Sequence, residues 1–219
     1  MSKLNIAIDG PSGAGKSTIA KILANKLQYN YLDTGSMYRA IAYRVNGKNV
    51  AMDDEKKIRE ILKDTVLNVN DGQITLDGKV LNNEIRTNQM SLFASDISKL
   101  QIVRDYLVSQ QQEIASSKGY ILDGRDITTV VLPNAEVKIY LTASMEVRAQ
   151  RRHRQNIEKN IASDLNKIIE DIEKRDFQDM NRANSPLKKT DDSLLVDTTD
   201  LTIDEVVDVI YKQVLKVSK

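Results

Sequence analysis

One short run constrains this chain more than any other: Gly10-Pro11-Ser12-Gly13-Ala14-Gly15-Lys16-Ser17, followed by Thr18. It fits G-x-x-x-x-G-K-[ST] in full, and it lies between the apolar run LNIAI and the periodic run STIAKILANKL. Glycines stand where a side chain would keep backbone N–H groups away from a bound phosphate. The helix that follows adds free amides and the positive end of its dipole. A lysine at position 16 is placed to bridge the β- and γ-phosphates, and the Ser17 hydroxyl to ligate Mg²⁺. The segment therefore predicts strand, phosphate-binding loop and helix, and a nucleotide as ligand.

Four further runs read as strands, each preceded by or followed by a helical pattern: YNYLD, GYILD, AEVKIYLTA and SLLVDTT. Strands alternating with helices predict a central parallel sheet covered on both faces, with ligands beyond the carboxyl ends of the strands. With 219 residues the chain is long enough for a full core. A net charge of +1 and 5% aromatic residues argue against a nucleic-acid partner. Zero cysteines exclude disulfides, thiolate metal sites and cysteine nucleophiles. The first apolar run is cut at Asp9, too short for a signal-peptide core, and no later run reaches membrane length. Cytoplasmic location is the expectation.

One stretch breaks the alternation. VLNVNDGQITLDGKVL lies between a charged helix starting near Asp53 and another after Thr87. Asp71-Gly72 and Asp77-Gly78 mark its turns, so it predicts a small inserted antiparallel meander. QRRHRQNIEKNIASD, from about residue 150 to 165, is strongly basic with few core positions and reads as a mobile surface hairpin of helices. Thr202 and Glu205 fit a capping box that opens the last helix.

A phosphate loop names no reaction. The Asn-Lys-x-Asp segment of GTPases is missing, since NKLQ at Asn25 lacks the aspartate, and motor or transport ATPases are normally larger. Arginines scattered through the second half suit a small-molecule kinase better. YLDTGSMYRA puts Asp33, Thr34 and Arg39 at a strand end; ILDGRDITTVV does the same for Asp123, Arg125 and Asp126. Arg175, Asp179 and Arg182 are spaced i, i+4, i+7, which on a continuous helix shares one face. Taken alone, Arg175 and Asp179 read equally well as a surface ion pair.

Together these segments are similar, along nearly the whole chain, to the bacterial cytidylate (CMP) kinases of the nucleoside monophosphate kinase family. IDGPSGAGKST, LDTGSMYRA, DGRDITTVV, the RD-x-x-D-x-NRA-x-x-PL segment from Arg175 to Leu187, and VDTT stand in that family's order. The inserted meander resembles theirs as well. The resemblance implies an α/β P-loop three-layer fold with a central parallel sheet, the inserted β meander and a helical lid. It implies a core of 1–35, 98–147 and 183–219, a monophosphate-binding region 36–97, and a lid with its following helix 148–182.

It also implies transfer of the γ-phosphate of ATP to CMP or dCMP with Mg²⁺, by a monomer. Residue by residue it assigns Thr34, Arg39, Ser95, Arg104, Arg125, Asp126, Arg175, Asp179 and Arg182 to the monophosphate site. Ser95, Arg104 and Asp126 are its cytosine readers, Asp179 its sugar reader, and Arg39, Arg125, Arg175 and Arg182 its phosphate clamp. Lys16, Arg125, Arg152, Arg175 and Arg182 are the expected catalytic cations. The basic run Arg148, Arg151, Arg152 and Arg154 is a candidate lid over ATP, or else a solvated helix face. His153 reads as a surface residue, and Asp123 as either a group behind Mg²⁺ or a turn cap. The pattern often has glycine at the Thr128 position and arginines at those of Gln178 and Met180. Rival expectations are a related small kinase acting on UMP, AMP or another acceptor, and a nucleotide sensor without catalysis.

Overall fold

The structure is a computed structural model, and it describes residues 3–70 and 72–218. The first strand, β1 (Ile6–Asp9), leads through the glycine-rich loop into α1 (Lys16–Leu27), as the motif requires. β2 (Asn30–Asp33), β6 (Tyr120–Gly124), β7 (Val137–Thr142) and β8 (Leu194–Asp197) are the four further sheet strands the sequence predicts. They form one parallel sheet in the order β2-β6-β1-β7-β8.

Alternation along these strands divides the interior into two layers. Ile6 and Ile8 of β1 and Ile121 of β6 join Ile19 and Leu23 of α1 and Val206 and Ile210 of α8 (Ile203–Val217) on one face. Ala7 and Leu122 face the other way, toward Met37 and Ile41 of α2 (Thr34–Gly47) and Leu107 of α5 (Gln101–Ala115). The result is the expected helix, sheet, helix sandwich. The Thr202–Glu205 capping box that starts α8 is present in both directions.

The break in the alternation is real. After α3 (Glu55–Lys63), capped by Asp54, the chain forms β3 (Leu67–Asn70), β4 (Gln73–Leu76) and β5 (Lys79–Leu81) as an antiparallel sheet. Asp77 and Gly78 take φ of 49° and 80°, the left-handed pair that a tight hairpin needs. Of the other predicted turn, Asp71 lies outside the described residues. Ile74, Leu76 and Leu81 bury against the α2 side of the core, and Arg44 of α2 pairs with Asp77 at 2.7 Å. α4 (Asn88–Ile97) begins at its Thr87 cap and packs on α2.

The basic stretch forms α6 (Met145–Glu158) and α7 (Leu165–Asn181), an antiparallel helical hairpin. It has more interior than expected: Ala149, Ile168 and Ile172 form a small core of their own. Among the described residues no helix is long and apolar enough to cross a membrane.

Candidate active site

The glycine-rich loop lies at the carboxyl end of β1. A Cβ on Gly10 would come within 1.9 Å of the Leu141 carbonyl oxygen, so only glycine lets the loop leave the sheet here. Lys16 Nζ turns back onto the loop and donates to the carbonyls of Gly10 and Pro11, both at 2.7 Å. Burial and the nearby Arg125 push its pKa down to about 7. Ser17 Oγ donates to Asp123 Oδ2 at 2.8 Å, and Tyr31 Oη to Asp123 Oδ1 at the same distance. Asp123 therefore faces the phosphate loop, with one carboxylate oxygen on Ser17 and the other on Tyr31. Burial, reinforced by Asp33, raises its pKa to about 6.

Beyond the loop a cleft of about 740 Å³ runs between α6, α7 and the segment Thr198–Val206. Loop residues Ser12 to Thr18 form its floor, Arg151, Arg152 and Arg154 one wall, and Arg175 its inner end. Arg151 donates to the Thr198 hydroxyl and carbonyl at 2.8 and 2.7 Å, and Arg152 reaches Asn88 of α4 at 3.1 Å. Arg148 departs from the lid expectation. It is 7% exposed and gives its Nε and Nη1 donors to protein oxygens, because its helix position faces the interior rather than the cleft. His153 is half-buried and shares a hydrogen bond with Ser163 at the hairpin turn.

The inner end of the cleft collects positive charge. Arg125 pairs with Asp179 at 2.7 Å, and Arg175 lies 3.9 Å from the same carboxylate. Burial, then Arg125, lowers the Arg175 pKa to about 10, with Arg39 and Arg152 adding to the repulsion. Arg39 is aimed by Asp33 and Ser36, at 3.1 and 2.6 Å. The Nε atoms of Arg39 and Arg175 are buried and have no hydrogen-bond partner among the described residues. Buried donors of this kind are normally satisfied, so an anion between them is the natural complement.

A second cluster stands beside this one. Arg104 is 2% exposed and forms a buried ion pair with Asp126, while its Nη1 donates to the Ser98 carbonyl at 3.3 Å. Ser95 is buried close by, since Ser98 Oγ donates to its carbonyl, and Ser95 Oγ has no hydrogen-bond partner among the described residues. Tyr38 Oη is likewise unpartnered, with Arg104 over its ring at 5.9 Å. The structure puts Arg182 here rather than with the other clamp arginines: it reaches Asp126 at 3.5 Å and Ser98 Oγ at 3.4 Å. The expected i, i+4, i+7 face stops short because α7 ends at Asn181 and Arg182 has ψ of 144°. Thr34 commits its hydroxyl proton to the Asp123 carbonyl at 2.8 Å, tying α2 to β6.

Several working residues are not named as site residues by the sequence. Asp9, fully buried, accepts from the backbone N–H groups of Ile127 and Thr128 and from the Thr128 hydroxyl at 2.9, 2.7 and 2.7 Å. It thereby fixes the turn that presents Asp126. Thr128 contributes two of those bonds, one from its backbone N–H and one from its hydroxyl. Ser185 holds two arginines at once: its Oγ accepts from Arg104 Nε at 3.1 Å and its carbonyl from Arg182 Nε at 2.8 Å. Only the cap-like placement of Asp9, at a strand end just before the glycine run, offered a sequence signal.

A phosphate loop at the end of β1, a helical hairpin over it and an arginine-rich end define a P-loop kinase, a phosphotransferase class. The three-layer fold agrees with the shikimate kinase from Bacteroides thetaiotaomicron, at TM-score 0.51 and 12% identity over 97% of this chain and 99% of that one. The family described as cytidylate kinase matches residues 6–216. The cytidylate kinase of Caldicellulosiruptor bescii is 47% identical over 100% of this chain and 99% of its own length. That of Bacillus subtilis is 47% identical over 99% of each. The chain belongs to the cytidylate kinase family.

Proposed function

We propose that the protein transfers the γ-phosphate of ATP to CMP or dCMP, giving ADP and the diphosphate, as a cytoplasmic monomer. The observation that carries the choice of acceptor is the buried Arg104–Asp126 pair beside the unpartnered Ser95 hydroxyl. Cytosine offers an amino donor next to two acceptors, and a carboxylate flanked by a guanidinium and a hydroxyl complements that edge. Uracil reverses two of these groups and leaves buried polar atoms unpaired.

Phosphoryl transfer needs charge stabilisation more than proton transfer, because negative charge spreads over the transferring group between two nearly in-line oxygens. Arg39, Arg125 and Arg175 hold the acceptor phosphate, with Asp179 keeping Arg125 and Arg175 together and available to the sugar. Arg182, by its position, acts on the base side and braces Asp126. Lys16 and the loop amides hold the donor phosphates, and Arg152 enters from the hairpin. Ser17 and Asp123 would hold Mg²⁺. A hydroxyl and a carboxylate are hard oxygen ligands suited to a cation that keeps water and phosphate as its other partners. When bound, the ion neutralises charge on the transferring phosphates.

The region 36–97 then serves as the acceptor-binding part and 148–182 as the lid with its supporting helix. The test is ADP release with Mg-ATP and each of CMP, dCMP, UMP, AMP, GMP and dTMP, beside Asp126→Ala. Turnover confined to the cytidylates, and discrimination lost in the variant, is the expected outcome. Turnover favouring another acceptor makes it a kinase of different substrate, and none at all leaves a nucleotide binder.

A further inference from the structure

Arg148 and Asp176 form a buried ion pair whose members are 7% and 6% exposed. Neither lines the nucleotide cleft, whereas Ser12, Gly13 and Arg175 do. The pair stands behind the phosphate loop and grips it. Ser12 N–H donates to Asp176 Oδ1 at 2.9 Å, and Arg148 Nη1 donates to the Ser12 carbonyl, also at 2.9 Å. Arg148 Nε donates to the Ala143 carbonyl, just past β7, at 3.0 Å, and its Nη2 meets Met145 Sδ at 3.7 Å. The contact is close because Gly13 has no side chain: a Cβ there would come 3.0 Å from the Cβ of Arg148.

We propose that this pair is a positioning device, which holds both backbone polar groups of Ser12 and so fixes the crest of the phosphate loop against the helix carrying Arg175 and Asp179. α7 then touches both substrates' sites from adjacent residues. Asp176 sets the donor loop, and Arg175 and Asp179, on either side of it in sequence, serve the acceptor. A buried ion pair is poor evidence for stability, since apolar replacements are often neutral or stabilising. Its bonds to the loop, rather than its net energy, are what an apolar pair cannot supply.

The inference rests on the reading that this loop holds ATP, but not on which acceptor is used. The test is equilibrium binding of Mg-ATP alone and of CMP alone to Arg148→Met/Asp176→Leu, which removes both charges together. Loss of two bonds to the loop is expected to weaken ATP by about tenfold or more, with CMP affinity within about twofold and no lower melting temperature. Unchanged ATP affinity in the folded variant, or equal loss for both nucleotides, overturns the proposal. Should the double variant not fold, Asp176→Asn keeps one oxygen for the Ser12 N–H. It is expected to show the same selective loss at smaller size, and an equal effect on both nucleotides overturns the proposal there too. Failure of wild-type turnover with CMP would count against the proposed reaction while leaving the ATP measurement decisive for the pair.

Discussion

Ser185 has φ of 49°, left-handed backbone that a serine rarely adopts, and it does so directly before Pro186. The strain places its hydroxyl under Arg104 and its carbonyl under Arg182, and such strain persists where the surroundings enforce it. Ser185→Ala removes the hydroxyl and keeps the strain, whereas Ser185→Gly removes both. Both variants are expected to lose about tenfold in kcat/KM for CMP, because a charged donor loses its buried acceptor. In urea denaturation the glycine variant is expected to be about 1 kcal/mol more stable than the alanine variant. Full activity in both variants removes Ser185 from the acceptor site. The resemblance names Arg104, Asp126 and Ser95, and the structure pairs the first two and buries the third beside Ser98. Ser185 could not be found in the sequence, since a serine before proline reads as an ordinary turn and its role depends on contacts made 81 residues away.

α7 is the element in which pattern and placement diverge most. Its Ile168 and Ile172 face α6, Asp176 faces the phosphate loop, Arg175 and Asp179 face the acceptor end, and Phe177 is left 70% exposed. Periodicity reveals the helix and the shared face of Arg175 and Asp179. It does not reveal where the helix ends, and so misplaces Arg182. Nor does a basic composition reveal that Arg148 turns inward, because exposure depends on which neighbour a helix face meets. The hairpin core of Ala149, Ile168 and Ile172 is separate from the two layers that cover the sheet. Ile172→Ala is therefore expected to act locally, at a cost of about 2 kcal/mol or more within the hairpin. Hydrogen exchange should speed up for amides of α6 and α7 while those of β1, β6 and β7 keep wild-type protection. Equal acceleration throughout would show the hairpin and sheet to open as one unit.

Across the molecule, charge is balanced in number and not in space. Lys+Arg 32 against Asp+Glu 31 gives no hint of a cationic site, yet folding gathers Arg39, Arg125 and Arg152 around Arg175, and brings Arg125 and Arg175 near Lys16. The parallel sheet, its covering layers and the inserted meander are legible from the chain because alternation and turn chemistry are local; the strand order β2-β6-β1-β7-β8 and this convergence are products of topology and are not. The field the convergence creates has a measurable sign. In the unliganded protein burial, with Arg125 beside it, brings Lys16 to a pKa of about 7, so near pH 8 much of it is neutral. Triphosphate anions favour the charged form, so Mg-ATP binding there is expected to take up protons. Asp123, at about 6, is partly protonated near pH 6, where Lys16 is already charged. A cation brought against Ser17 favours the carboxylate, so binding near pH 6 is expected to release protons. Calorimetry of Mg-ATP binding in buffers of different ionisation enthalpy, corrected for the nucleotide's own titration, reads the sign directly. The expected result is net release near pH 6 turning to net uptake near pH 8. Uptake at both pH values removes Asp123 from the metal side of the site, and release at both means that Lys16 is already fully charged in the empty loop.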